Sequence, residues 1–444
     1  MNILIVENVS MGKTGYGFFD KKLLTMFSVL PTLYARHFEA ITPKKYNVEV
    51  VNERYNKIDF DNPYDIVHIN YTTSNAFRAY EIADSFRQKG VTVVLSGMHA
   101  SALPDEAKKH ADSVLLGYGE LSWLKLLEDF SRGELKPFYQ PVKYDDTIRL
   151  PPTDIKLPGF VLSGAVEATR GCPYKCAFCR EGNITGSSQF YKRPVDDVML
   201  EIKNMPQKFF TFYDNSLTID PDYTKSLFTK ISGLHKKFSC NGNVDVLAND
   251  KELVRLSKEA GCVSWLIGFE SVSQKTLDEV GKRTNKVKNY KQAVKNIHDN
   301  GMVAIGCFVF GFDTDTKDVF DSTLKFIKDL KIDIVDFLVL TPFPGTPLFE
   351  CYEKEGRILT RDWSKYNMRD VVFKPKNMTH EELLAGVRKL YTDFYSTGHA
   401  MRRVLNGLNL GLYPFFLIME RNISASMNKR MLSFSADSMG FIKG

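Results

Sequence analysis

Apolar residues in the first part of the chain come in short runs, at 3–6, 48–51, 66–69, 91–95 and 114–116. Each run is rich in aliphatic and β-branched residues and ends in polar or turn-forming ones. Strands buried on both faces of a parallel sheet read this way. Helical periodicity fills the intervals, for instance at 76–89 and 105–110, and Gly90 stops the first of these. The alternation predicts an α/β domain with an open, doubly wound parallel sheet. From 132 to 159 the pattern lapses, and Pro137, Pro141, Pro151, Pro152 and Pro158 suggest a linker. A second alternating series follows, with strand signals at 161–169, 208–214, 238–243, 263–270, 303–311 and 335–341 and helical patterns such as 220–234 and 289–300 between them. It predicts a partial (β/α)6 barrel, with its chemistry at the C-terminal strand ends. Beyond Pro342 the chain reads as helical and irregular, with Thr379 an N-cap and Glu382 its capping-box partner. The expected divisions are therefore 1–131, linker 132–159, barrel 160–350 and a helical C-terminal region 351–444.

Composition narrows the class. A chain of 444 residues with 43% hydrophobic content can fill two cores, and 25% charged residues exclude a disordered protein. The net charge of +6 is spread along the chain, without the basic stripe of a nucleic-acid binder. Seven Cys, an odd number with three of them inside residues 172–179, do not make a secreted disulfide framework and fit a reducing cytoplasm. The N-terminus lacks the pattern of a signal peptide, and no apolar run has the length of a spanning helix.

The strongest chemical signal is the segment Glu167-Ala168-Thr169-Arg170-Gly171-Cys172-Pro173-Tyr174-Lys175-Cys176-Ala177-Phe178-Cys179, just past the first expected barrel strand. Thiolates suit iron–sulfur clusters and zinc alike. A structural zinc site normally takes four protein ligands, and no fourth Cys or His lies close in sequence. Three thiolates would leave one iron of a cubane open. Cys240, Cys262, Cys307 and Cys351 are scattered and read as small buried hydrophobes, though Cys240 or Cys307 could line a substrate cavity.

This spacing, with Phe178 before the last Cys, resembles the motif of the radical S-adenosylmethionine (SAM) superfamily. The resemblance implies a [4Fe–4S] cluster on Cys172, Cys176 and Cys179, with SAM on the open iron cleaved to a 5′-deoxyadenosyl radical. It also implies SAM contacts from Phe178 in the Cys loop, from Asp214, at the end of the second barrel strand, and from Glu270 and Ser271, at the end of the fourth. The segment 306–311 would flank the adenine, and 341–347 resembles a Pro-rich turn of the family.

In the first domain, loops at 70–73, 96–100 and 117–120 should gather at the C-terminal edge of the sheet, where ligands bind in this architecture. The arrangement resembles the cobalamin-binding domain of the cobalamin-dependent radical SAM class. That implies corrin contacts from Tyr71, Thr72, Ser96, Gly97, His99, Gly117 and Gly119. The Asp-x-His-x-x-Gly pattern that supplies a cobalt ligand in other cobalamin proteins is missing, so His99 is expected to serve the loop and not the metal.

In the tail, the apolar stretch 404–419, flanked by Arg402, Arg403, Arg421, Lys429 and Arg430, can pack on the protein or lie at a membrane surface. The resulting expectation is a cytoplasmic enzyme, with peripheral membrane contact as an option. It would use cobalamin, SAM and a [4Fe–4S] cluster to modify an unactivated carbon of a small, hydrophobic or lipid-like substrate, by methyl transfer. It would draw electrons from a flavodoxin or ferredoxin and bind no nucleic acid. The alternatives are a radical SAM cyclase or oxidoreductase, with or without cobalamin, and a non-catalytic metal-binding scaffold. No residue is assigned to acid–base catalysis.

Overall fold

The computed structural model describes residues 1–7, 33–53, 56–141, 163–184 and 188–432. The expected linker from 142 on and the start of the first barrel strand lie outside these. Two six-stranded sheets dominate, and every strand pairing in them is parallel.

The first sheet comprises β1 (Asn2–Glu7), β2 (Asn47–Asn52), β3 (Ile66–Asn70), β4 (Thr92–Ser96), β5 (Ser113–Leu115) and β6 (Phe138–Tyr139), in the order β2-β1-β3-β4-β5-β6. The order reverses between β1 and β3, and at such a switch point the loops beyond the strand ends part to leave a crevice. β6 falls where the sequence suggested only linker. It is two residues long, between Pro137 and Pro141, too short to show a period. One face of the sheet packs Leu4, Val67, Ile69 and Val93 against the helix Ala76–Arg87. The other packs Ile3, Ile5 and Val94 against Phe38, Trp123 and Leu127.

The second sheet comprises β7 (Ser163–Val166), β10 (Phe209–Phe212), β11 (Lys237–Gly242), β12 (Cys262–Glu270), β13 (Val303–Phe310) and β14 (Ile334–Val339), in the order β14-β13-β12-β11-β10-β7. Among the described residues it does not close, and β7 and β14 are its edge strands. Outer positions such as Trp265, Ile267, Phe308 and Phe337 are buried under the surrounding helices. Between β7 and β10 an antiparallel pair, β8 (Thr169–Arg170) and β9 (Tyr191–Lys192), joins the two ends of the Cys-bearing loop.

After β14 the chain returns to the first sheet through the helix Pro347–Lys354 and the segment that follows it. Phe343, Phe349, Trp363, Tyr366 and Val372 share that sheet's core, and Trp363 Nε1 donates to Glu106 at 2.9 Å. The helix His380–Phe394 opens with the expected capping box of Thr379 and Glu382. The apolar tail is not one helix. It breaks at Gly411 (φ 119°) into the helices Thr397–Leu410 and Leu412–Leu432, which pack against each other. Among the described residues no helix is long and apolar enough to cross a membrane.

Candidate active site

The Cys-bearing loop follows β8 directly, and its backbone groups are held by Asn183 and by the distant segments at Val280 and Leu348. Asn183 Nδ2 donates to the carbonyls of Cys176 (2.8 Å) and Cys179 (2.7 Å). Ala177 N–H donates to Val280 C=O, and Ala177 C=O accepts from Leu348 N–H. Gly182 (φ 83°) closes the loop so tightly that a Cβ there would stand 2.1 Å from Tyr174 C=O, which only glycine allows. Cys176 is buried, and Cys172 and Cys179 are partly so.

Burial pushes all three thiols up, Cys179 to about 12, and Cys176 and Cys179 also feel the other sulfurs. Lys282 opposes this at every one of them. Among the described residues, no three His, Cys, Asp or Glu side chains stand as a ready metal cage. What fits a cluster here is the donor set: three soft thiols from one loop, within electrostatic reach of one another and beside a cation. Binding iron would have to take their protons.

Lys282 was not legible in the sequence. Its Nζ lies 3.0 Å from Glu270 Oε1. Burial alone would lower its pKa, but Glu270 and the thiols raise it well above the usual lysine range. Glu270 sits at the end of β12 with φ 64°, in the left-handed region that a side chain rarely adopts. The turn is fixed from below: Tyr290 OH donates to Phe269 C=O (2.7 Å) and Ser271 C=O (3.0 Å), and Asn285 Nδ2 donates to Gly268 C=O and Phe269 C=O. Ser271 Oγ accepts from Ser273 N–H.

Two expected SAM contacts stand differently. Asp214 is fully buried, and its carboxylate turns back on the loop's base, accepting from Ala168 N–H, Thr169 N–H and Thr169 Oγ1. Burial lifts its pKa to about 7 despite these bonds. Phe178 packs edge-on against Phe312, at 5.7 Å between ring centroids.

A buried ion cluster joins this loop to the first sheet. Arg170 donates to Glu167 (Nε–Oε2 2.9 Å) and to Glu120 (3.0 Å), with His37 Nδ1 2.9 Å from its guanidinium. Glu120 opens the helix after β5, and burial would raise its pKa, yet Arg170 and His37 hold it down to about 2. Tyr118 OH donates to Glu181 (3.2 Å) across the same junction.

At the first sheet's edge, Gly97 has φ 109°, and a Cβ there would lie 2.3 Å from Tyr71 C=O. Ser101 Oγ, also not foreseen, donates to Gly97 C=O (2.8 Å) and accepts from Gly117 N–H (2.9 Å), tying two loops together. Thr72 Oγ1 meets Ser74 Oγ. Gly119 is tight for a packing reason, because a Cβ would meet Leu115 and Phe38. Tyr71, Ser96 and His99 turn inward. Tyr71 OH reaches Tyr80 OH, Ser96 Oγ bonds His68 and Asn70, and His99 Nε2 lies 3.3 Å from Glu106. His99 Nδ1 is buried without a hydrogen-bond partner among the described residues.

The model of the radical SAM superfamily matches residues 166–327. The chain is 32% identical to the bacteriochlorophyllide d C-12(1)-methyltransferase of Chlorobaculum tepidum, over 82% of this chain and 82% of that one. It is also 32% identical to the bacteriochlorophyllide d C-8(2)-methyltransferase of the same organism, over 82% and 86%. In fold it is similar to the radical S-adenosylmethionine methyltransferase TsrM of Kitasatospora setae, solved with cobalamin and a [4Fe–4S] cluster, with a TM-score of 0.67 at 15% identity over 96% of this chain and 99% of that one. The chain belongs to the radical SAM superfamily, as an enzyme with the two-sheet architecture of its cobalamin-dependent class.

Proposed function

We propose that this enzyme methylates an unactivated carbon of a tetrapyrrole. The observation that carries the reading is the likeness to two bacteriochlorophyllide methyltransferases over four-fifths of the chain. When bound, the [4Fe–4S] cluster and SAM supply hydrogen abstraction from a C–H bond, and cobalamin supplies the methyl group that replaces it.

The chain's part is to bind and position. Cys172, Cys176 and Cys179 would hold the cluster, and Lys282 offsets thiolate charge beside it. Glu270 and Ser271 would face SAM from the braced end of β12. Asp214 fixes the base of the loop. At the first sheet, the loops carrying Thr72, Gly97, His99 and Gly117 would meet a corrin at the strand ends. Tyr71 and Ser96 would act from behind, through packing. An external one-electron donor such as a flavodoxin or ferredoxin completes the system.

The tail supports one further element of this reading, contact with an anionic membrane surface. Met401, Leu405, Leu408 and Leu412 form an exposed stripe, continued by Tyr413, Phe416 and Ile423. Arg402 is exposed beside it, and Lys237 stands over the Tyr413 ring at 5.9 Å. Apolar side chains with a basic rim suit the headgroup region of such a bilayer.

The test is anaerobic incubation of the reduced, cluster- and cobalamin-loaded chain with SAM and a bacteriochlorophyllide. Equal amounts of 5′-deoxyadenosine, S-adenosylhomocysteine and methylated pigment are expected. Pigment oxidised or cyclised without S-adenosylhomocysteine would replace methyl transfer by the cyclase or oxidoreductase reading.

A further inference from the structure

The wall between the cysteine loop and solvent is thin where the chain beyond β12 crosses it. Val280 C=O accepts from Ala177 N–H, and Gly281 C=O lies 3.7 Å from Cys176 Sγ. Gly281 is itself partly exposed, with φ 70°. A Cβ there would meet only Lys175 C=O, at 3.5 Å, so the outer side of this residue is open. One layer of backbone therefore stands between the Cys176 sulfur and the surface.

The residues around this point are basic. Lys175 is exposed on the loop, and Arg283, Lys286 and Lys288 are exposed on the stretch after Gly281. Arg283 N–H donates to Gly281 C=O at 2.9 Å, which keeps it beside the crossing. Lys286 stands 4.0 Å from Asp245, a half-buried carboxylate that also accepts from Asn289 at 2.9 Å. Lys175, Arg283 and Lys288 make no side-chain hydrogen bond or ion pair among the described residues.

Carboxylates on the segments that touch the loop offset this only in part. Asp278 accepts from Gln274 at 2.9 Å, Glu279 lies 4.0 Å from Lys275, and Glu350 follows Leu348 by two residues. Exposed and unpaired cations do not hold the turn in place. Grouped at one point, they raise a local positive potential that draws acidic surfaces and speeds their encounter. A transient redox encounter needs only a small contact. The cluster that this loop fits takes its electron from outside the chain, and here an outside protein comes within one backbone layer of a ligand sulfur.

We propose that the surface formed by Lys175, Gly281, Arg283 and Lys288 is the docking site of a small, acidic one-electron carrier protein. The carrier is oxidised by one electron and the cluster on Cys172, Cys176 and Cys179 is reduced by one, with no bond made or broken. This rests on the external-donor part of the proposed function and is independent of the tetrapyrrole.

The experiment mixes the full-length, cluster-loaded chain anaerobically with excess reduced flavodoxin or ferredoxin and follows the loss of cluster absorbance with time. Arg283→Glu combined with Lys288→Glu should lower the second-order rate constant at least about tenfold at low salt, and added salt should narrow the difference. Arg283→Gln alone should give an intermediate rate. Reduction by a photoreduced deazaflavin, a small donor that needs no docking, should keep its rate in every variant. Carrier rates that charge reversal leaves unchanged would overturn the docking surface and spare the external donor. An equal loss with deazaflavin would make the effect structural, and the surface would fall. If neither carrier reduces the unaltered chain while deazaflavin does, the external-donor reading falls and the surface with it.

Discussion

Lys282 and Glu270 show how much of the site depends on single contacts. Their side chains are only 17% and 10% exposed, so removing one partner strands the other. Lys282→Gln should cost about 3 kcal/mol, the lower end for breaking a buried pair. A lowered thermal midpoint would be matched by reduced iron retention on reconstitution, and an unchanged midpoint would mean that the pair is solvated. Asp214 makes a pH prediction. Its folded pKa, about 7, is above the ordinary 3.8, so the folded state holds the proton more firmly. Its contribution is full below the unfolded pKa and is lost as pH rises through the interval up to about 7. The stability of the native chain relative to Asp214→Asn should therefore decline across that window and level off above it, as read by midpoints at each pH. The Cys spacing was legible because it is local. Lys282 was not, because only the turn after β12 brings it to a loop a hundred residues earlier in the chain. Asp214 was placed correctly at a strand end, but the direction of its carboxylate depends on where the neighbouring strand leaves Ala168 and Thr169.

Among the elements, the junction between the sheets rests on Arg170, Glu167, Glu120 and His37. Arg170 and Glu120 are each 2% exposed. Glu120→Gln should cost about 3–5 kcal/mol, because it leaves Arg170 without one of its two carboxylates in a dry setting. Limited proteolysis between the sheets should accelerate with it, and equal protection in both forms would argue that the junction does not depend on the ion pair. Elements with a strong period were readable: the alternating strands, and the capped helix at 380. Elements set by tertiary contact were not. β6 exists because β5 offers it an edge, and the return of 343–372 to the first sheet leaves no mark beyond aromatic residues. The tail hairpin makes its own prediction. Leu405→Glu with Phe416→Glu should abolish co-sedimentation with anionic vesicles while leaving the fold intact by circular dichroism. Binding that persists would dissociate the exposed stripe from the bilayer.

At the scale of the whole molecule, the fold class and the order of its parts were legible, because two alternating series separated by prolines can hardly be arranged otherwise. How the C-terminal part engages both sheets was not, since it depends on long-range packing of aromatic and aliphatic side chains with no period of their own. That engagement has a consequence. A closed barrel fixes its own bore, but this sheet stops at β14, and the boundary on that side comes from residues near Met368 and from the helix carrying Ile418 and Arg421. The cysteine loop and the wall that bounds the open sheet beside β14 are therefore encoded in different stretches of sequence. New specificities could arise by exchange of the C-terminal stretch alone, with the cysteine loop carried over unchanged.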